Sequence, residues 1–284
     1  MIMFRDVTEK QARCRACLPG RFATLLRAVV SALLPALFCS VSLAGDFVVA
    51  VEESDNHPFE YAQGDGSIHG GFHLEEIDQV AAGLGWHVRY KPMPWQRALR
   101  ALQLGQVDAL SYLARTSERE NYTVFLPEAI QHRQYAGLFV RRAARARFPD
   151  SSQACSYAGF RMAAASSYYY GSVVEQAMRG CWTIDTSASS KEEVFSRLMA
   201  GRIDIAVAYL TSIESLELSM PELGAQVEAL PQPRWLIGDF YLGFSRKAMS
   251  QERIGQYIHA LVLYHKSAAY RQLVSKYKMA AFMP

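Results

Sequence analysis

Two segments of this chain nearly repeat each other: LQLGQVDAL at 102–110 and LMAGRIDIA at 198–206. Leu102, Gly105, Val107 and Asp108 match Leu198, Gly201, Ile203 and Asp204 at a constant offset of 96 residues. Each copy reads as the end of an amphipathic helix, a glycine that stops it, and an apolar run of strand length. The same helix-to-strand joint at equal places in two halves predicts two similar α/β lobes.

The surrounding pattern extends that reading. Strands are predicted at 46–52, 86–92 and 107–111, with helices at 74–84 and 95–104 between them. The grammar returns with strands at 160–165, 182–186 and 203–208 and helices at 172–179 and 190–200. Such alternation builds mostly parallel sheet with right-handed crossovers. A strand at 241–247 and helices over 251–278 complete the chain. The chain passes from one lobe to the other near 138–148 and returns near 230–240, so the second lobe is read as an insertion within the first.

The first 44 residues stand apart. Arg5, Lys10, Arg13, Arg15, Arg21 and Arg27 precede the apolar stretch AVVSALLPALFCSVSL, and Ser42 and Ala44 are small residues suited to cleavage before Gly45. This predicts a secretory signal peptide; the stretch is too short, and broken by Pro35, for a membrane span. Removing the leader's six basic and two acidic residues leaves 24 basic against 25 acidic. The basicity is therefore a targeting feature, and a nucleic-acid partner is not expected. Five cysteines become two, Cys155 and Cys181. In an oxidising compartment they are expected to pair, since both fall at the strand-start edge of one β-α-β unit.

In open parallel sheets ligands gather beyond the carboxyl ends of the strands. The first lobe places Glu52, Glu53, Ser54, Asp55, Pro94, Trp95 and the segment Tyr112–Arg119 there. The second places Ser166, Ser167, Tyr168, Tyr169, Tyr170, Thr186–Ser190 and Tyr209. Carboxylates, an arginine, hydroxyls and rings together suit a small polar or zwitterionic molecule. Arg119 is the pivot. Ser117 and Glu120 have capping-box spacing, which puts Arg119 in the first turn of a short helix, where a cation is disfavoured. Either it pairs at the surface with Glu118, Glu120 or Glu128, or its planar fork holds a carboxylate. No His, Cys, Asp or Glu grouping has metal-ligand spacing, and His57 and His73 are read as surface or supporting residues.

These residues resemble family 3 of the periplasmic solute-binding proteins, the polar amino-acid receptors of ABC transporters. HPFEYAQGDGSIHGGFHLEEIDQVAAGLG is similar to the family's opening segment, and PMPWQRALRALQLGQVDAL to its second helix and third strand. TSERENYTVFLP resembles its T-x-E-R segment, and YLGFSRK its return strand. The resemblance runs from about 46 to 278. It implies a type II periplasmic-binding-protein fold, two α/β lobes joined by a two-segment hinge with the ligand cleft between them. The expected division is 1–44 signal peptide, 45–140 first lobe, 141–234 second lobe and 235–284 the first lobe's return strand and C-terminal helices. Arg119 falls on the arginine that grips the ligand carboxylate, and Trp95 on the aromatic residue that packs on its side chain. Thr116, Glu52, Glu53, Tyr112, Ser167, Tyr168, Tyr169 and Tyr209 complete the expected site. The chain departs from the pattern at Tyr209, where amino-acid binders carry an aspartate, at His73, at Ala114 and in SSYYYG.

Three classes of function remain open. The leading one is non-catalytic capture of a small carboxylate-containing solute in the periplasm, delivered by a monomer, without cofactor, to an inner-membrane permease. The other classes are a lyase similar to the family's cyclohexadienyl dehydratase and a sensory ligand-binding protein. No Ser/His/Asp or Cys/His arrangement supports a nucleophile.

Overall fold

The computed structural model describes residues 46–63 and 67–282; the predicted leader lies outside them. The apolar run FVVAVE forms β1 (Phe47–Glu52), followed by the short strands β2 (Tyr61–Gln63) and β3 (Ser67–Gly70), which pair with each other. Helix α1 (Phe72–Gly83) leads to β4 (Val88–Met93), and α2 (Trp95–Leu104) to β5 (Ala109–Ala114). Both β4 and β5 lie parallel to β1, one on each side. Every residue of β5 is buried, as expected for a strand covered on both faces.

The short helix α3 (Ser117–Glu120) and β6 (Thr123–Phe125) precede the long strand β7 (Gln131–Arg141). The second half then supplies β8 (Met162–Ala165), α4 (Ser172–Gly180), β9 (Ile184–Ala188), α5 (Lys191–Met199) and β10 (Ile205–Tyr209). After α6 (Ser212–Ser219), α7 (Pro221–Gln226) and β11 (Val227–Ala229), β12 (Trp235–Ser245) returns the chain. Helices α8 (Gln251–His265) and α9 (Ala268–Lys276) pack beside α1. The main sheet has the order β4-β1-β5-β12-β7-β10-β8-β9. Two parallel triplets are thus joined through two long antiparallel strands, the two-lobed arrangement that the sequence predicts.

The near-repeat proves to be structural. Gly105 and Gly201 adopt φ of 75° and 68°, the left-handed region that glycine enters without steric cost. The Asp108 N–H donates to Val48 O at 2.8 Å, and its carboxylate accepts the Val48 N–H at 2.8 Å. Asp204 does the same with Arg161, at 2.8 and 3.2 Å. In each half an aspartate fastens the strand it opens to the beginning of the parallel neighbouring segment.

At the return strand, the C-terminal helices and the cap of α3 the structure refines the predicted elements. The strand expected at 241–247 begins at Trp235 and ends at Ser245, because its first residues pair with β7. The helices predicted over 251–278 are two, divided after His265, where Ser267 caps the second by accepting the Tyr270 N–H. The cap of α3 is Thr116, not Ser117: Thr116 has extended backbone and its hydroxyl accepts the Arg119 N–H at 3.3 Å. Glu120, released from a capping role, accepts from Arg115 Nε at 2.6 Å.

Cys155 and Cys181 are bonded, with Cα atoms 5.6 Å apart. Cys155 sits in a 3-10 turn ahead of β8, and Cys181 caps the C-terminus of α4, so the bridge lies at the strand-start edge as the topology requires. Closing a loop across 26 residues stabilises by about 3.5 kcal/mol on the chain-entropy account.

Candidate functional site

The strand ends of the two halves meet. Trp95 opens α2 directly after Pro94, and its indole Nε1 donates to Ser167 O at 3.0 Å. Arg119 donates to the same carbonyl at 3.0 Å, and Gln96 donates to the Ser166 hydroxyl at 2.6 Å. The Tyr168 hydroxyl donates to Glu52 Oε1, and the Ser54 hydroxyl to Glu192. Ser167 enables this convergence with φ of 63°, a conformation few non-glycine residues adopt.

Arg119 is 6% exposed, which removes it from the surface-pair reading. Its second guanidinium contact is Ala114 O at 2.9 Å, and its charge lies 5.6 Å from the Trp95 ring centre. Burial pulls its pKa below the ordinary arginine value, partly offset by the polar groups of Tyr209 and Tyr122 and by Glu118. Two backbone carbonyls therefore engage part of the donor fork expected to face a carboxylate.

Glu52 and Glu53 alternate at the end of β1, and only one turns inward. Glu52 is buried and Glu53 exposed. Burial raises the Glu52 pKa to about 7, opposed by Lys191 and by hydrogen bonds from Tyr168 and Asn56. Asn56 Nδ2 donates to Glu52 Oε2 at 3.2 Å, so both carboxylate oxygens are engaged.

The tyrosines divide by role. Tyr168 lies edge-on to Trp95 at 5.8 Å and stacks on Tyr209 at 5.7 Å. Tyr170 is core, its hydroxyl accepting the Ala165 N–H at 3.0 Å. Tyr169 is half-buried, and its carbonyl accepts from the Tyr209 hydroxyl at 3.3 Å. Tyr112, at φ 58°, stacks on Phe240 at 4.6 Å and its hydroxyl accepts from Gln134 at 2.6 Å. Thr116 is half-buried beside Arg119 as its cap.

Two of the clefts that flank this convergence hold most of the predicted site residues. One, of about 420 Å³, is lined by Glu52, Glu53, Ser54, Trp95, Ser190 and Glu192 among others. The other, of about 430 Å³, is lined by Thr116, Arg119, Ser167, Tyr168, Tyr169 and Glu175 among others. Together they are lined by eight of the ten residues predicted for the site; Tyr112 and Tyr209 are excepted, because they pack behind it with Phe240.

Sequence reasoning missed Lys191, Asn56 and Gln134. Lys191 follows Ser190 at the end of a segment already placed at the cleft, so its position was within reach; its burial was not. His73, expected from the sequence to be a surface or supporting residue, is fully buried, its Nδ1 3.6 Å from Glu60 Oε1. His57 stacks on Tyr61 at 4.0 Å. Among the described residues no group of three or more His, Cys, Asp or Glu could hold a metal ion, and no helix is long and apolar enough to cross a membrane.

Residues 47–152 match the family described as bacterial extracellular solute-binding proteins, family 3. No curated protein matches the chain. Among solved structures, the substrate-binding protein of an amino acid ABC transporter is similar at TM-score 0.66 and 18% identity, covering 82% of this chain and 99% of that one. A histidine kinase sensor domain with similarity to periplasmic binding proteins reaches 0.65 at 17% identity, covering 83% and 96%. The arginine-, lysine-, histidine-binding protein ArtJ from Geobacillus stearothermophilus reaches 0.65 at 18% identity, covering 84% and 96%. At these identities the likeness speaks for the fold, which is that of the periplasmic binding proteins. The family match spans residues 47–152, and the likeness of fold to these three structures covers 82–84% of the chain.

Proposed function

We propose that this protein is a periplasmic receptor that captures a small polar solute bearing a carboxylate, an amino acid or a relative of one, and delivers it to an ABC importer. The observation that carries the reading is the position of Arg119: a buried guanidinium at the meeting of both halves, with the Trp95 and Tyr168 rings beside it. A carboxylate entering there replaces Ser167 O as an acceptor and gains two charge-assisted hydrogen bonds. The rings supply apolar faces, and Thr116, Ser167 and Tyr169 supply polar atoms at the rim. A sensory role is the second reading, favoured by the likeness to a histidine kinase sensor domain; capture would be the same and only the membrane partner would differ.

A thermal-shift screen of residues 45–284 against L-amino acids, amines and organic acids tests the proposal. A ligand at 100 times its dissociation constant stabilises by about 2.7 kcal/mol. Stabilisation by carboxylates that disappears in Arg119→Ala is expected. A set of hits made up of amines alone would overturn it.

A further inference from the structure

We propose that Lys191 determines specificity: its ammonium group occupies the cation-binding corner beside Glu52, so the cleft prefers carboxylates lacking an α-amino group to the parent amino acids. The inference rests on the carboxylate-binding role proposed above and names the class of solute.

Lysine is among the residues least often buried, yet Lys191 is 4% exposed. It is the first residue of α5, held by the Ser190 cap, and its side chain crosses to the other half. Nζ donates to Asn56 Oδ1 at 2.7 Å and to the Asp55 carbonyl. The Asn56 amide in turn donates to Glu52 Oε2 at 3.2 Å and to Ser54 O at 3.3 Å. The other Glu52 oxygen takes the Tyr168 hydroxyl. Glu52, the one buried carboxylate among the described residues that line this cleft, is thus engaged at both oxygens and has a tethered cation close by.

An incoming ammonium would need to shed its water in this corner and would meet a carboxylate already compensated by Lys191. The desolvation is costly without a free counter-charge. Tyr209 offers only a neutral hydroxyl, directed to Tyr169 O. The remaining acids, Glu53, Asp55 and Glu192 of this cleft and Glu118 and Glu175 of the cleft beside Arg119, are exposed or half-buried, and Glu192 already lies 3.8 Å from Lys191 Nζ. Arg119 with Trp95, Tyr168 and Tyr209, by contrast, combines a cation with aromatic faces. That combination suits a carboxylate on a flat or apolar body.

Calorimetry with three matched pairs tests the inference: L-phenylalanine with 3-phenylpropionate, L-tyrosine with 3-(4-hydroxyphenyl)propionate, and L-glutamine with 4-carbamoylbutanoate. Wild type is expected to bind the deaminated member of at least one pair about 10-fold or more tighter. Lys191→Met should abolish or invert that preference, and Lys191→Arg should keep it. Lys191→Gln repeats the measurement if the methionine variant lacks a cooperative unfolding transition. Equal or tighter binding of the amino acid by wild type, or a preference that survives loss of the charge, overturns the inference and leaves carboxylate capture standing. Binding of no member of any pair overturns the inference for these solutes, while the wider thermal-shift screen separately decides carboxylate capture.

Discussion

Arg119 and Ser167, 48 residues apart in sequence, are joined by a 3.0 Å hydrogen bond from the guanidinium to the main-chain carbonyl. The same carbonyl accepts the Trp95 indole at 3.0 Å, so one backbone oxygen gathers both residues expected to touch a solute. The bond ties the proposed binding chemistry to the way the halves meet.

Arg119→Ala should therefore weaken more than ligand capture. It leaves the carbonyls of Ala114 and Ser167 without this donor, at a cost of about 1–3 kcal/mol to folding. Carboxylate affinity should fall by a further increment of about 1.5–3 kcal/mol. Urea unfolding and calorimetry read the two effects separately. A variant that unfolds at the wild-type midpoint would show that the buried contacts contribute nothing net.

Glu52 predicts a pH effect of definite sign. Burial raises its pKa to about 7, against the opposing influence of Lys191, Tyr168 and Asn56. A carboxyl group with a raised folded-state pKa contributes stability below its unfolded value that is lost as pH rises through about 7. Wild type should lose stability relative to Glu52→Gln between about pH 5 and 8. Parallel stability profiles for the two proteins would contradict the assignment.

His265 is a second titrating group, away from the cleft. Its Nε2 lies 2.6 Å from Glu76 and its Nδ1 2.6 Å from Glu128, so both nitrogens can donate only in the imidazolium form. Burial lowers its pKa, but the hydrogen bonds and charges of Glu76 and Glu128 outweigh that and hold it above the ordinary value. The contribution is complete below the unfolded histidine value of about 6.5 and fades as pH rises through the higher folded one. The stability gap between wild type and His265→Gln should accordingly narrow from about pH 6 upward. A gap that widens over that range would exclude the charged bridge.

Glu60 and His73 pose a different question. Both are fully buried, and the polar atoms of both side chains lack hydrogen-bond partners among the described residues, with 3.6 Å as their closest approach. Phe59 and Tyr112 pack on the His73 ring at 5.1 and 5.3 Å. Removing one member leaves the other uncompensated in apolar surroundings, and Glu60→Leu or His73→Phe alone should cost about 3–5 kcal/mol. The double substitution should recover most of that loss, because it removes both polar groups together. Additive losses in a double-mutant cycle would show that the pair is not coupled.

Local pattern determined much of this protein. The helix–glycine–strand joints at 102–110 and 198–206 were legible because a helix stop and an apolar strand are specified by neighbouring residues. The cysteine pair followed from composition and crossover topology, and the strand ends from alternation. Tertiary structure decided the rest. Strand β7 carries Gln131, Arg133, Gln134 and Arg141 among its apolar residues, and its role in joining the halves depends on pairing with β10, β11 and β12. The burial of Lys191 depends on Asn56, 135 residues away, and the setting of Arg119 on a carbonyl supplied by Ser167. Periodicity records which face of one element avoids water; it carries no information about which distant segment covers that face. Whether a charged side chain is solvated or enclosed is set only when the two halves pack, and there the chemistry of this cleft was decided.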